Sequence, residues 1–281
     1  MNTTKLLITG GSGQLGQELI SRLDNKFHIW APNRIDFNLE LPETLRHKIQ
    51  KFQPDMIVNC AAFTSVDLAE RSLEKVSLVN TLSPKIMAEE AKKLNIPMIH
   101  ISTDYVFDGN KGLPYSENDP KKPINIYGIS KLKAEEEIQL ANDKNIILRT
   151  SWIYNKYFGV NFYRKMINLF KEKDEVKVVF DQIGSPTNTT YLSKKINSLI
   201  LFLENNQSNI DFWGVYHLSE NYIMSWYEFS LKIFEDNKNK ISFKTKKIIP
   251  IKSDFFPTVA KRPKYSALNC DLIKSTFNFM Q

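Results

Sequence analysis

Tyr127 and Lys131 stand four residues apart in Tyr127-Gly128-Ile129-Ser130-Lys131, a spacing that puts a phenol and an ammonium on one face of a helix. An ammonium beside a phenol favours the phenolate, so the pair predicts a Tyr127 pKa below the ordinary ~10 and a proton that moves at neutral pH. Upstream, Ser102-Thr103-Asp104 closes an apolar run, and the Thr103 hydroxyl would orient a reacting oxygen. Near the N-terminus, Thr9-Gly10-Gly11-Ser12-Gly13-Gln14-Leu15-Gly16 follows Leu6-Leu7-Ile8 and precedes a helical pattern. Gly10, Gly13 and Gly16 let backbone N–H groups and a helix N-terminus meet a pyrophosphate that side chains would block. Glycine also serves ordinary tight turns, and YxxxK arises by chance in a lysine-rich chain. The two signatures in this order, with Thr103 between them, describe a nucleotide cofactor held beside a proton-moving tyrosine. That combination is an enzyme's.

The choice of cofactor turns on the end of the second strand. An acid there would bind the adenosine ribose and repel a 2′-phosphate. The segment is Trp30-Ala31-Pro32-Asn33-Arg34, with no acid and one guanidinium. Arg34 suits a phosphate and favours NADPH, while Asp36 could take the acid's part and leaves NADH open.

Parallel strands alternating with helices must position these groups. Residues 5–9, 27–31, 56–60, 97–102 and 146–149 read as strands, and residues 14–23, 41–51, 66–94 and 126–141 as helical. Pro84 marks the first turn of a helix capped by Ser83, because an interior proline would break the hydrogen-bond ladder. Strands this apolar imply a sheet covered on both faces. The expected fold is α/β, a Rossmann-type doubly wound parallel sheet with a smaller, mostly C-terminal substrate domain. Residues 1–151 and about 189–218 belong to the first unit, and about 152–188 and 219–281 to the second. Within the latter, residues 161–173 look helical and 176–180 strand-like, and residues 181–189 form a loop. Residues 192–203 and 214–218 form a helix–strand pair suited to rejoining the main sheet.

Composition excludes several classes. The chain has 281 residues, 42% hydrophobic and 25% charged, ordinary for a soluble globular protein. No apolar run approaches the roughly 18 residues that cross a bilayer, and the N-terminal apolar stretch runs into the glycine loop rather than a cleavage site. Two cysteines, Cys60 and Cys270, offer no disulfide framework, which fits the cytoplasm. The net charge of +7 reads as a lysine-rich solvated surface that favours an anionic small substrate over nucleic acid. His28, His47, His100 and His217 are scattered without metal-ligand spacing and read as framework residues.

Further segments carry a resemblance. Asp36-Phe37, Asn59-Cys60-Ala61-Ala62-Phe63-Thr64-Ser65-Val66-Asp67, Ser102-Thr103-Asp104-Tyr105-Val106-Phe107, Arg149-Thr150-Ser151-Trp152, Asp181-Gln182-Ile183-Gly184-Ser185-Pro186-Thr187 and Arg262-Pro263 join the signatures above. With them the chain resembles the extended short-chain dehydrogenase/reductases, and specifically the dTDP-4-dehydrorhamnose reductase family. The resemblance implies a Thr103/Tyr127/Lys131 catalytic set and a cofactor along Gly10, Gly13, Gln14, Leu15, Gly16, Arg34, Asp36, Phe37, Ala61, Ala62 and Thr64. It places Asp104, Tyr105 and Trp152 in a sugar pocket and Arg262 at the diphosphate. Flat aromatic faces such as Tyr105 and Trp152 independently suit the C–H surface of a sugar, although Trp152 also suits core packing. Related sugar-nucleotide dehydratases carry a glutamate where Tyr105 stands, so its loss fits reduction rather than elimination.

The implied reaction is NADPH-dependent reduction of a nucleotide-linked 4-keto-6-deoxyhexose at C4, with dTDP-4-dehydro-L-rhamnose the leading substrate. A UDP-linked or talose-type sugar is the nearest alternative. A non-catalytic NADP-binding regulatory subunit, like the methionine adenosyltransferase beta subunit, is the alternative of another class. Some family members form a magnesium-bridged dimer through glutamates. Here Glu18 matches one such position, Thr190 replaces another, and the usual final helix with its acid is not evident near Phe279. No resident metal is therefore expected, and the chain is expected to be a monomer or weak homodimer.

Overall fold

Leu6, Leu7 and Ile8 are fully buried, as are Met56, Ile57 and Val58, and Ile146, Ile147 and Leu148. Runs covered on both faces in this way belong inside a parallel sheet. The computed structural model describes residues 3–23, 27–206 and 212–278; the chain end near Phe279 lies outside them. The strands are β1 (Thr4–Thr9), β2 (Phe27–Trp30), β3 (Met56–Asn59), β4 (Met98–Thr103), β5 (Asn145–Thr150), β6 (Ile153–Tyr154), β7 (Glu175–Val179), β8 (Ile183–Gly184), β9 (Thr187–Asn188), β10 (Gly214–His217), β11 (Met224–Ser225) and β12 (Lys247–Ile251). The helices are α1 (Gln14–Ile20), α2 (Leu45–Phe52), α3 (Val66–Ala69), α4 (Leu73–Ser77), α5 (Ser83–Lys93), α6 (Ile126–Ala141), α7 (Phe162–Glu172), α8 (Thr189–Asn206), α9 (Trp226–Asn237) and α10 (Asp271–Thr276).

The main sheet runs β10-β5-β4-β3-β1-β2, and every neighbouring pair is parallel. The strand order therefore doubles back at β1, and the crevice beyond the ends of β1 and β3 is where such sheets take ligands. Alternate side chains face opposite layers. Leu6, Ile8, Met56, Val58, Ile146 and Leu148 pack with Leu15 and Leu19 of α1 and Leu192, Ile196 and Leu199 of α8. Leu7, Ile57, Met98 and Ile147 pack with Ile49 of α2, Met87 and Ala91 of α5 and Ile138 of α6. This is the doubly wound α/β fold, and β10 adds itself beside β5 after α8.

The smaller lobe is built from short pieces. β7 pairs with β12 in parallel, β8 with β11 antiparallel, and β6 with β9 in parallel. Its core joins Tyr163, Met166 and Phe170 of α7 to Val176 and Val178 of β7 and Phe229 and Ile233 of α9.

One local expectation is corrected. Ser83 has helical backbone angles and caps nothing; its hydroxyl donates to the Leu39 carbonyl at 2.7 Å. The chain stays helical from α4 into α5 through a π turn at Leu78–Leu82, where the Ser83 N–H reaches back to the Leu78 carbonyl. The wider turn lets Pro84, which has no N–H to donate, follow without a break.

Candidate active site

The glycine loop leaves β1 and packs tightly on itself. Gly10 has φ +70°, and a Cβ there would stand 2.8 Å from the Ala61 nitrogen. A Cβ on Gly16 would lie 2.2 Å from the Gly10 carbonyl oxygen. Only glycine serves at these two positions. Gly13 caps α1 without a side-chain hydrogen bond, and the first turn carries no acid, which suits an approaching anion.

Beyond the loop opens a cleft of about 660 Å³. Its walls bring together Gly10, Gly13, Gln14, Leu15 and Gly16 with Arg34, Phe37, Ala61, Ala62, Thr64, Tyr127 and Lys131. Asp36 is not on its walls; its carboxylate accepts from the Asn33 amide at 2.7 Å. Arg34 is ion-paired with Glu40, which also meets Lys75 at 3.0 Å, so two cations converge beside the cleft. Lys75 was not singled out from sequence, because a lysine inside an amphipathic helix looks like solvated surface. A long cleft with a glycine cradle at its centre and cations beyond β2 fits a phosphorylated dinucleotide.

β4 carries Thr103, and α6 carries Tyr127 and Lys131. Asn125 caps α6 by accepting from the Gly128 N–H at 2.8 Å. A Cβ on Gly128 would fall 2.2 Å from the Tyr105 carbonyl oxygen, so the glycine after Tyr127 lets the helix close on the end of β4. Thr103 donates to Asp104 Oδ1 at 3.1 Å and accepts from the Tyr105 N–H at 3.2 Å. Burial pushes Tyr127 up to about 12, against the opposing pull of Thr103.

This corrects the expected role of Lys131. Its Nζ does not draw the phenol down; it donates to the Ile101 carbonyl at 2.7 Å and lies 2.9 Å from His100 Nε2. A buried amine must satisfy its protons locally, and these acceptors sit on β4 rather than on Tyr127. Burial lowers Lys131 to about 8.

The four sugar-side residues stand outside the walls of the large cleft. Asp104 is buried, and desolvation raises its pKa to about 6 despite hydrogen bonds from Ser266, Ser151 and Thr103. The Tyr105 ring meets Tyr127 edge-on at 5.8 Å. Trp152 adopts φ +44° and stacks on Trp226 with ring centres 3.4 Å apart. Arg262 forms a two-pronged pair with Asp67, Nη1 to Oδ1 at 2.7 Å and Nη2 to Oδ2 at 2.6 Å. The guanidinium holds Asp67 down at about 2. Asp104 meets the cleft through Thr103, and Tyr105 through Tyr127, which lies on the cleft wall.

Sequence reasoning passed over two buried networks. One links Thr9, Asn59 and His100 to Lys131. The other pairs Arg149 with Glu135 at 2.6 Å, and Glu135 also receives the Ser102 hydroxyl beside Thr103. His100 in the first network, and His217, whose Nε2 lies 3.3 Å from Arg149 Nη1 in the second, are fully buried and held below the ordinary histidine pKa by desolvation.

Around Glu18 the donors are Arg22 at 2.7 Å, Thr190 at 3.1 Å and Asn155 at 3.2 Å. A carboxylate already met by a cation and two hydrogen-bond donors does not suit a magnesium ion.

Comparison with known proteins places the chain among relatives. The family model described as the RmlD substrate binding domain matches residues 4–281. A dTDP-4-dehydrorhamnose reductase of Sinorhizobium fredii is 38% identical over 273 residues, covering 97% of this chain and 91% of that protein. The spore coat polysaccharide biosynthesis protein SpsK of Bacillus subtilis is 38% identical over 267 residues, covering 95% and 89%. A crystal structure of dTDP-4-dehydrorhamnose reductase from Bacillus anthracis in complex with NADP superposes with TM-score 0.90 at 34% identity, covering 98% of this chain and 94% of that one.

Proposed function

The chain belongs to the RmlD substrate-binding-domain family, the family of its dTDP-4-dehydrorhamnose reductase relatives, and on that premise we propose that it reduces dTDP-4-dehydro-L-rhamnose to dTDP-L-rhamnose with NADPH. The observation that carries this reading is that Tyr127 and Lys131 stand on the walls of the same cleft as the glycine loop.

The bound dinucleotide supplies the hydride that reaches C4 of the sugar. The glycine loop receives its pyrophosphate, and Arg34 with Lys75 takes the 2′-phosphate. Thr103 orients the C4 oxygen, and Tyr127 gives that oxygen its phenolic proton. A proton donor must be protonated at working pH, and burial keeps Tyr127 so at about 12. Lys131 holds the ribose edge beside Tyr127. Asp104, Tyr105 and Trp152 receive the sugar, and Arg262, held flat by Asp67, presents its remaining N–H edge to the diphosphate.

Residues 1–151 and about 189–218 act as the cofactor half, and about 152–188 and 219–281 as the sugar half. The entry of β10 into the main sheet and the separate core of α7, β7 and α9 support that division. The product is an activated deoxysugar suited to polysaccharide assembly. The reaction belongs in the cytoplasm, where reduced nicotinamide and nucleotide sugars occur together, and both described cysteines are free thiols. No described helix is long and apolar enough to cross a membrane. The chain works as a monomer or weak homodimer.

The test offers purified protein NADPH with dTDP-linked and UDP-linked 4-keto-6-deoxyhexoses and identifies products by NMR. Formation of dTDP-L-rhamnose with matching NADPH oxidation is expected. Turnover of the UDP sugar alone, or of neither, would overturn the assignment.

A further inference from the structure

Arg34 and Lys75 already share an anion, Glu40. Arg34 lies six residues upstream in the turn after β2, and Lys75 comes from α4. Both nitrogens meet the same carboxylate oxygen, Oε1, Lys75 at 3.0 Å. All three side chains line the cleft. One oxygen held by two cations is an arrangement that a phosphate oxygen can equally make.

The backbone around Glu40 is fixed locally. Asn33 Oδ1 accepts from the Ile35 N–H at 2.7 Å and the Asp36 N–H at 3.1 Å, and Asn38 Oδ1 accepts from the Glu40 N–H at 3.0 Å. Side chains that bond the backbone two or three residues on hold such turns in shape. Phe37 and Leu39 are buried between them and anchor the segment. The side chains of the pair are freer, with Glu40 28% exposed and Arg34 69%, so packing locks neither in place.

An acid at this end of a dinucleotide cleft accepts from a ribose 2′-hydroxyl and repels a 2′-phosphate, whereas cations favour the phosphate. Asp36, the acid that the sequence suggested, is bonded to Asn33 and stands off the walls. Glu40 is the acid that reaches them. Two cations and one carboxylate carry a net charge of +1. A 2′-phosphate of about two negative charges overfills that cluster with the carboxylate present and balances it with the carboxylate gone.

We propose that Glu40 is the specificity-determining residue for the cofactor. Before the dinucleotide binds, it stands in for the 2′-phosphate. It weakens NADPH by competing for Arg34 and Lys75, and it keeps NADH admissible by accepting from the ribose hydroxyls. NADPH takes both cations and sends the carboxylate towards solvent; NADH leaves the pairs intact. The proposal rests on the reading of the cleft as a dinucleotide site and names the group that sets its choice. Partly exposed ion pairs contribute little each, so Glu40 shifts the preference by a small factor and leaves NADPH the better ligand.

The test is fluorescence titration of wild type and Glu40→Gln with NADPH and with NADH, in the absence of sugar substrate. Glutamine keeps the length and a carbonyl acceptor while removing the charge. The NADPH Kd should fall about three- to tenfold, and the NADH Kd should stay level or rise. The NADPH gain should shrink from low to high ionic strength, because partly exposed charges are screened. Retained NADH binding shows at the same time that the variant's cleft is intact. An unchanged NADPH Kd would overturn the proposal, as would a higher one, the result if Glu40 only props Arg34 and Lys75 in place. An equal gain for both dinucleotides would overturn it too, since only the 2′-phosphate is at issue. Wild type that binds neither dinucleotide would remove the cofactor reading, and this proposal with it.

Discussion

The sheet ends and the aromatic lobe hold their functional groups by different means. Along the sheet, Thr9, Asn59, His100 and Lys131 are fixed by directional hydrogen bonds between neighbouring strands and one helix. In the lobe, Trp152 lies flat on Trp226, which meets Phe162, while Tyr154 stacks on Tyr163 with centres 5.5 Å apart. Hydrogen-bonded groups with no water nearby have few alternative arrangements, so changes there alter chemistry in steps. Stacked rings slide and tilt at small cost, so changes there grade the fit of a sugar. On the proposed reading, the proton-handling groups stand on the rigid side and the recognition surface on the adaptable one.

That contrast is broken most sharply at Tyr127. Tyr127→Phe keeps the ring against Tyr105 and removes only the proton, so kcat should fall by about 10²–10⁴-fold. NADPH binding, followed by fluorescence titration, should change by no more than about threefold, since a factor that small is under 1 kcal/mol. Loss of cofactor binding in step with kcat would show the two sides to be one unit.

Gly16→Ala comes next. Its Cβ would collide with the Gly10 carbonyl at 2.2 Å, so the loop must move. Thermal unfolding should show a loss of about 1–3 kcal/mol. The NADPH Kd should rise about tenfold, while the sugar pocket keeps its selectivity.

On the adaptable side, Trp226→Ala removes the ring beneath Trp152. A loss of about 0.5–1.5 kcal/mol is expected in that stack, raising the sugar KM by about 3–10-fold with kcat nearly intact. A collapse of kcat instead would mean that the lobe sets the reacting geometry directly.

The smallest effect belongs to the Asp67–Arg262 pair. Asp67 is held at about 2, below its unfolded value, so its contribution is present above the unfolded pKa and lost as pH falls through about 2. The Asp67 side chain is 40% exposed, so solvent screening keeps that contribution below about 1 kcal/mol. Urea unfolding of Asp67→Asn should show slightly lower stability than wild type at neutral pH. The gap should close in acid.

The first half of the fold is legible because buried parallel strands write themselves as apolar runs and the glycine loop marks the turn into α1. Residues 126–141 are helical as the pattern requires. The second half is harder, because β6, β8, β9 and β11 are two residues long and a period needs more. The tyrosine, lysine and threonine were visible as types at a spacing, yet spacing said nothing of where Lys131 points. Its Nζ is claimed by His100 and Ile101, which lie about thirty positions upstream. A lone histidine in an apolar strand looks like framework. The usable signal was positional: Thr9 and Asn59 close the apolar strands β1 and β3, His100 lies within β4, and parallel neighbours bring the three level. The trade of Lys131's attention from Tyr127 to β4 follows from burial, which no linear pattern reveals.

Reduction at C4 by a hydride from the cofactor, with Tyr127 closing the reaction, is tested most directly with NADPH deuterated at the transferable position. With dTDP-4-dehydro-L-rhamnose, dTDP-L-rhamnose carrying deuterium at C4 is the predicted product, and Tyr127→Phe should form almost none. Unlabelled product, label on another carbon, or undiminished labelling in the phenylalanine variant would contradict the account.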